Sequence, residues 1–132
     1  GDYSEVKFIM RYNADLANGL GNFAARILTL AERFLAVSIS GHSDVIRVIR
    51  IGVDQKLSQF KFNEALAEIW KLISYGDKFI NDNKLWETKD PQKIAEALAI
   101  LDAVADLLKP FLPDTAEKIS KHQKNILFPR LS

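Results

Sequence analysis

Apolar residues recur along most of this chain in steps of three and four, the spacing that keeps one face of an α-helix dry. In the first such stretch the stripe is Leu16, Leu20, Phe23, Ile27, Leu30 and Phe34. Asn13 is its expected N-cap, Asp15 sits in the first turn, where a carboxylate meets the positive helix end, and Gly41 is a fitting stop. The next segment, "SDVIRVIRIGVDQKLSQ", is β-branched enough to form a strand. No second strand exists to pair with it, so a short or irregular helix is expected between residues 42 and 60. A long helix is predicted from about Asn63 to Asn81, with Phe62, Leu66, Ile69, Ile73 and Ile80 on one face and Trp70 beside them. The polar stretch "NDNKLWETKDP" reads as a loop. Asp90 followed by Pro91 is a cap and first-turn proline, and starts a helix carrying Ile94, Leu98, Leu101, Ala105 and Leu108. Pro110 ends it. Asp114 with Glu117 three residues on resembles a capping box for a last short helix. The expected fold is all-α, one bundle of about four to five helices spanning residues 1–132.

At 132 residues and 48% hydrophobic, the chain is long enough to bury a core. No apolar run approaches a membrane span, and the start "GDYSEVKF" is not a signal peptide, so a cytoplasmic protein is expected. The absence of cysteine excludes disulfides, thiolate nucleophiles and zinc–thiolate sites. The net charge of +1 predicts no strong general attraction to nucleic acid, so any such binding must rest on a local patch. One basic region exists. After Glu117 come Lys118, Lys121, Lys124 and Arg130 with no acid. His42 and His122 lack partners at metal-ligand spacing and read as a lone exposed pair, structural or incidental. The pairs Asp102/Asp106 and Glu64/Glu68 lack an accompanying Glu-x-x-His and read as solvated helix faces. No glycine-rich phosphate loop follows a strand. No catalytic constellation is visible.

Plotted at about 100° per residue, Asn18, Asn22, Arg26, Thr29 and Arg33 form one row beside the first apolar stripe. A solvated flank with some hydrogen bonds within the bundle explains such a row, because polar flanks are the default. A surface for a planar partner explains it too. Asparagine offers a donor and an acceptor, arginine a fork of donors, and at a spacing of four they project side by side toward base edges. Gly19 and Gly21 each cost about 1 kcal/mol against alanine inside a helix. Close helix approach and ligand access compensate equally well. Trp86, in the polar loop, either folds back as a staple or stays accessible as a stacking platform for an unpaired base. On these residues alone both questions stay open.

Five stretches then carry a resemblance. "RYNADLANGLGNFAAR" (Arg11 to Arg26), "FKFNEALAEIWKLISYGDKFI", "KLWE", "LLKPFLPDTAEKI" and the terminal "ILFPRL" occur in the order and spacing of the anticodon-binding domain of methionyl-tRNA synthetases. Together they cover nearly the whole chain, with residues 38–59 the least similar part. The resemblance implies that Asn22 and Arg26 recognise anticodon bases and that Trp86 stacks on the wobble-position base of a CAU anticodon. Leu85 stands where the family usually carries proline, so that backbone restraint is absent. The family's catalytic motifs, His-x-Gly-His and Lys-Met-Ser-Lys-Ser, are also absent, which implies that ATP and methionine bind outside this stretch.

The expectation is therefore a non-catalytic fragment of a larger synthetase, with no cofactor of its own. Its expected partners are the tRNA-Met anticodon loop and the parent's catalytic domain, with no DNA and no membrane. Arg33, Lys118, Lys121 and Lys124 are the expected RNA backbone contacts. Two other readings remain: the corresponding domain of another class I synthetase, and a protein-interaction bundle with no nucleic-acid role.

Overall fold

The computed structural model describes residues 19–33 and 42–121. Among these residues all regular structure is helical, in six helices. They are α1 (Gly21–Arg33), α2 (Ser43–Ser58), α3 (Phe62–Asp82), α4 (Leu85–Thr88), α5 (Pro91–Leu108) and α6 (Pro113–Ser120). The sixth helix beyond the expected four to five is α4, a single turn inside the predicted loop. Asn13, Asp15, Leu16, Phe34 and Gly41 lie outside the described residues.

α5 organises the bundle. Its sequence is apolar nearly all round, and a helix of that kind must be covered on every side. It packs against α1, α2, α3 and α6, and Ile94, Leu98, Leu101, Ala105 and Leu108 are all buried, as their spacing predicts. The start of α5 also follows the sequence. The Asp90 carboxylate accepts from the amides of Gln92 (3.0 Å) and Lys93 (3.4 Å), and Pro91 occupies the first turn. α6 departs from expectation. Its N-cap is Leu112, Pro113 takes the first position, and Asp114 lies within the first turn, so no Asp114–Glu117 capping box forms. A proline placed just inside the start displaced the acid from the cap.

Residues 43–58 form a regular 16-residue helix, neither short nor irregular. β-branching lowers helix propensity only slightly, and packing of α2 against α3 outweighs it. Val45, Ile46, Ile49 and Val53 supply the packed face. α2 then turns into α3 through Phe60, whose φ of 59° lies in the left-handed region that glycine normally fills. Phe62 is 52% exposed rather than part of the core, while Leu66, Ile69, Ile73 and Ile80 are buried as expected. The solvent-facing carboxylates Asp106, Glu64 and Glu68 also form ion pairs. Arg50 of α2 donates to Asp106 of α5 at 2.7 Å, with Lys109 on its other oxygen at 3.1 Å, and Glu68 meets Lys71 at 2.9 Å.

His42 is not the exposed loop residue that the sequence suggests. Its side chain is 13% exposed, hydrogen-bonded through Nδ1 to the Tyr75 hydroxyl and 3.1 Å from the Glu96 carboxylate. The edges of Phe79 and Tyr75 meet its ring. It pins the start of α2 to α3 and α5. His122 lies outside the described residues.

α1 approaches α3 closely at Gly76. A Cβ there would sit 2.6 Å from Cε1 of Phe23, nearer still to its Cζ, and 3.1 Å from Ile100. α1 can rest on α3 only because α3 has no side chain at that point. Among the described residues no helix is long and apolar enough to cross a membrane.

Candidate nucleic-acid interface

α1 continues from a π-helical turn at Gly19 and Leu20; of its described stripe Leu20, Phe23 and Ile27 are fully covered as predicted, while Leu30 is only partly buried. That burial fixes the helix rotation and decides where its flank points. Asn22 and Thr29 are exposed and Arg26 is half-buried. A Cβ on Gly19 would meet nothing within 4 Å, so close packing does not explain that glycine.

Arg26 reaches across to α3. Its Nη2 donates to Asn81 Oδ1 at 2.9 Å and its Nη1 to Asp77 Oδ1 at 3.4 Å. The flank does make bundle hydrogen bonds, and sequence reasoning missed both partners. The signal was available, since Asp77 and Asn81 are four apart on α3 and therefore share a face. Burial pushes the Asp77 carboxyl above its ordinary value of 3.8, and the Arg26 charge opposes that push without cancelling it. The pair stands at side-chain exposures of 39% and 37%, where solvent screens much of its attraction.

The same guanidinium lies 5.9 Å from the centre of the Trp86 ring, at the outer edge of cation–π range. Trp86 comes from α4, whose single turn is closed by bonds from the amides of Glu87 and Thr88 to the Lys84 carbonyl. Two features hold that turn in place. Leu85 is fully buried, so bulk anchors the loop where the family's proline would have stiffened the backbone. Asn83 ties three elements together: its amide caps Phe79 O (2.8 Å), its Oδ1 accepts from Lys93 of α5 (2.7 Å), and its carbonyl accepts from Thr88 (3.2 Å). Lys84 and Lys89 bracket the turn in left-handed conformations. With the inward position of the turn taken by Leu85, Trp86 points outward and is 47% exposed. Its ring is thus neither fully packed into the bundle nor fully free of it.

Between α1, the end of α3 and α4 lies a cavity of about 410 Å³, lined by Arg26, Thr29, Leu30, Ile80, Trp86 and Lys89, with Ala25. That volume falls within the range of sites for small ligands. Its lining is mostly apolar with one large π-face, and its polar side chains are Arg26, Thr29 and Lys89. A flat heteroaromatic ring fits such chemistry, its face against Trp86 and its edge toward Arg26. Two of the five guanidinium N–H groups are engaged by α3, which leaves three to donate.

The basic end is less concentrated than its sequence suggests. Lys121 is exposed but lies 2.8 Å from Glu117, whose carboxyl is held below its ordinary value by that contact. Lys118 is half-buried on α6. Asn18, Lys124 and the side chain of Arg33 lie outside the described residues.

The fold is thus an all-α bundle that sets Arg26 of α1 beside the half-exposed Trp86 of α4, while Asn22, exposed one turn before Arg26, does not line the cavity. Residues 47–129 match the family model for the anticodon-binding domain of tRNA ligase, and the chain belongs to that family. It is also similar to methionine–tRNA ligases: 36% identical over 89% of the chain to that of Methanopyrus kandleri, 35% over 96% to that of Clostridium acetobutylicum, and 32% over 91% to that of Fusobacterium nucleatum. The chain spans about a fifth of the length of these relatives, 20–22% in each case. The family match begins within α2. The matches to the ligases leave out too little of the chain, even taken wholly from its start, to exclude Asn22 and Arg26.

Proposed function

We propose that this chain is the anticodon-reading part of a methionine–tRNA ligase and recognises the CAU anticodon of tRNA-Met. Asn22 and Arg26 contact base edges, and Trp86 stacks on the wobble-position base. One observation carries the reading. Arg26 and Trp86, sixty positions apart in sequence, line one cavity that offers hydrogen-bond donors and a π-face. Single-stranded bases are recognised in this way, splayed onto aromatic rings and bonded along their edges. Arg33, Lys118, Lys121 and Lys124 steer the RNA backbone. Methionine activation and ATP binding belong to the rest of the parent, which acts in the cytoplasm. The part described here needs no cofactor to bind RNA.

The test is a titration of the chain with anticodon stem-loops at one stated salt concentration, CAU against single-base variants. CAU should bind tightest. Replacing Arg26 by Lys keeps the charge but removes the planar fork, so discrimination should fall. Equal binding of every stem-loop by the unmodified chain would overturn the reading.

A further inference from the structure

We propose that Asp77 and Asn81 are positioning residues for Arg26, setting which of its donors face the RNA. The inference rests on the reading above and adds two residues to it. An arginine on a helix flank has four rotatable bonds and large rotamer freedom, and a reader must present its donors in one orientation to discriminate between bases. α3 supplies that restraint. Asn81 Oδ1 holds Nη2 at 2.9 Å and Asp77 Oδ1 holds Nη1 at 3.4 Å, one acceptor on each terminal nitrogen. With an acceptor on each terminal nitrogen, rotation about the last bond of the side chain is restrained. The guanidinium stays at the cavity wall, 5.9 Å from the Trp86 ring centre.

The two acceptors contribute differently. Asn81 is exposed and neutral, and its bond is short, so it mainly sets geometry. Asp77 is less exposed and its contact is longer, so it adds charge to the restraint. Asp77→Asn keeps an acceptor of the same length and removes the charge. Asp77→Ala removes both.

The experiment measures binding of the CAU stem-loop and of its single-base variants to Asp77→Ala, Asp77→Asn and Asn81→Ala, each also combined with Arg26→Ala. Thermal melts confirm that each variant is folded at the assay temperature. Asp77→Ala and Asn81→Ala should each reduce the ratio of cognate to variant binding by about threefold to tenfold, the range for one modest hydrogen bond. Asp77→Asn should recover most of that ratio. In the Arg26→Ala background the same substitutions should change the ratio by less than about twofold, because residues acting through Arg26 have nothing left to act on. Unchanged discrimination in Asp77→Ala and Asn81→Ala overturns the proposal. So does a loss of equal size with and without Arg26. If Arg26→Ala alone leaves discrimination intact, it is the functional reading that fails, and that result is distinct from either of the others.

Discussion

Leu85 and Trp86 are adjacent, yet truncating them should have different consequences, and the contrast tests the site. Tryptophan covers up to about 250 Å² when buried. With Trp86 47% exposed, roughly 130 Å² is removed from water, or about 3 kcal/mol at ~25 cal/mol/Å². An extended-chain reference overstates that area by roughly 10–40%, and alanine keeps the Cβ, so Trp86→Ala should cost about 1.5–2 kcal/mol of folding stability. Leu85 is fully buried, and Leu85→Ala should cost about 2–5 kcal/mol. For a chain of this size about 1 kcal/mol shifts the melting temperature by roughly 3–5 °C. A thermal melt therefore separates the two variants. Binding should separate them in the opposite order. Trp86→Ala should weaken the CAU stem-loop by about 1–3 kcal/mol, the range for one stacked base, and Trp86→Phe should recover part of it. Leu85→Ala, assayed where it is folded, should weaken binding less, since it moves the platform without removing it. A Trp86→Ala protein that melts as low as Leu85→Ala and still binds normally would leave Trp86 a staple with no stacking role.

Four further outcomes are expected. Gly76→Ala should lower stability by about 1–3 kcal/mol in a denaturant titration, because the added methyl meets the buried Phe23 ring and Ile100, which outweighs the ~1 kcal/mol gain in helix propensity. Leu85→Pro should destabilise the fold and weaken RNA binding, because Lys84 sits at φ 46° and ψ 53°, where a residue before proline is disfavoured, and because the buried leucine is lost; a melt and a titration check both. Two aspartates should move stability in opposite directions with pH. Asp77, raised in the folded state, contributes stability that is full below 3.8 and is lost as pH rises through its folded value. Asp106, lowered chiefly by its hydrogen bonds from Arg50 and Lys109, contributes stability above 3.8 that is lost as pH falls through its folded value. Denaturant titrations of Asp77→Asn and Asp106→Asn from pH 3 to 7 should show these opposite trends. Finally, RNA affinity should fall only shallowly with salt, at about 0.7 log units per phosphate contact for a few contacts, because net charge is +1 and Lys121 is already paired with Glu117.

The helices and their inward faces were legible because burial imposes a period that the chain itself displays. Leu20, Phe23 and Ile27 on α1, and Ile94, Leu98 and Leu101 on α5, are buried as their spacing requires. Asp90 and Pro91 start α5 by local bonds alone, and such signals need no tertiary context. The regularity of α2 was not legible, since its β-branched run has a weak intrinsic preference that contact with α3 decides. Nor was the true place of His42, which depends on Tyr75, Phe79 and Glu96 arriving from two other helices. At the site, sequence supplied the residue types: Asn22 and Arg26 on one flank and a tryptophan in a polar turn. How far Trp86 stays exposed depended on Leu85 taking the inward position of α4, and no spacing rule shows that. The partners of Arg26 were only half legible. Periodicity puts Asp77 and Asn81 on one face of α3, but only the close approach at Gly76 brings that helix near enough to α1 for their oxygens to hold the guanidinium.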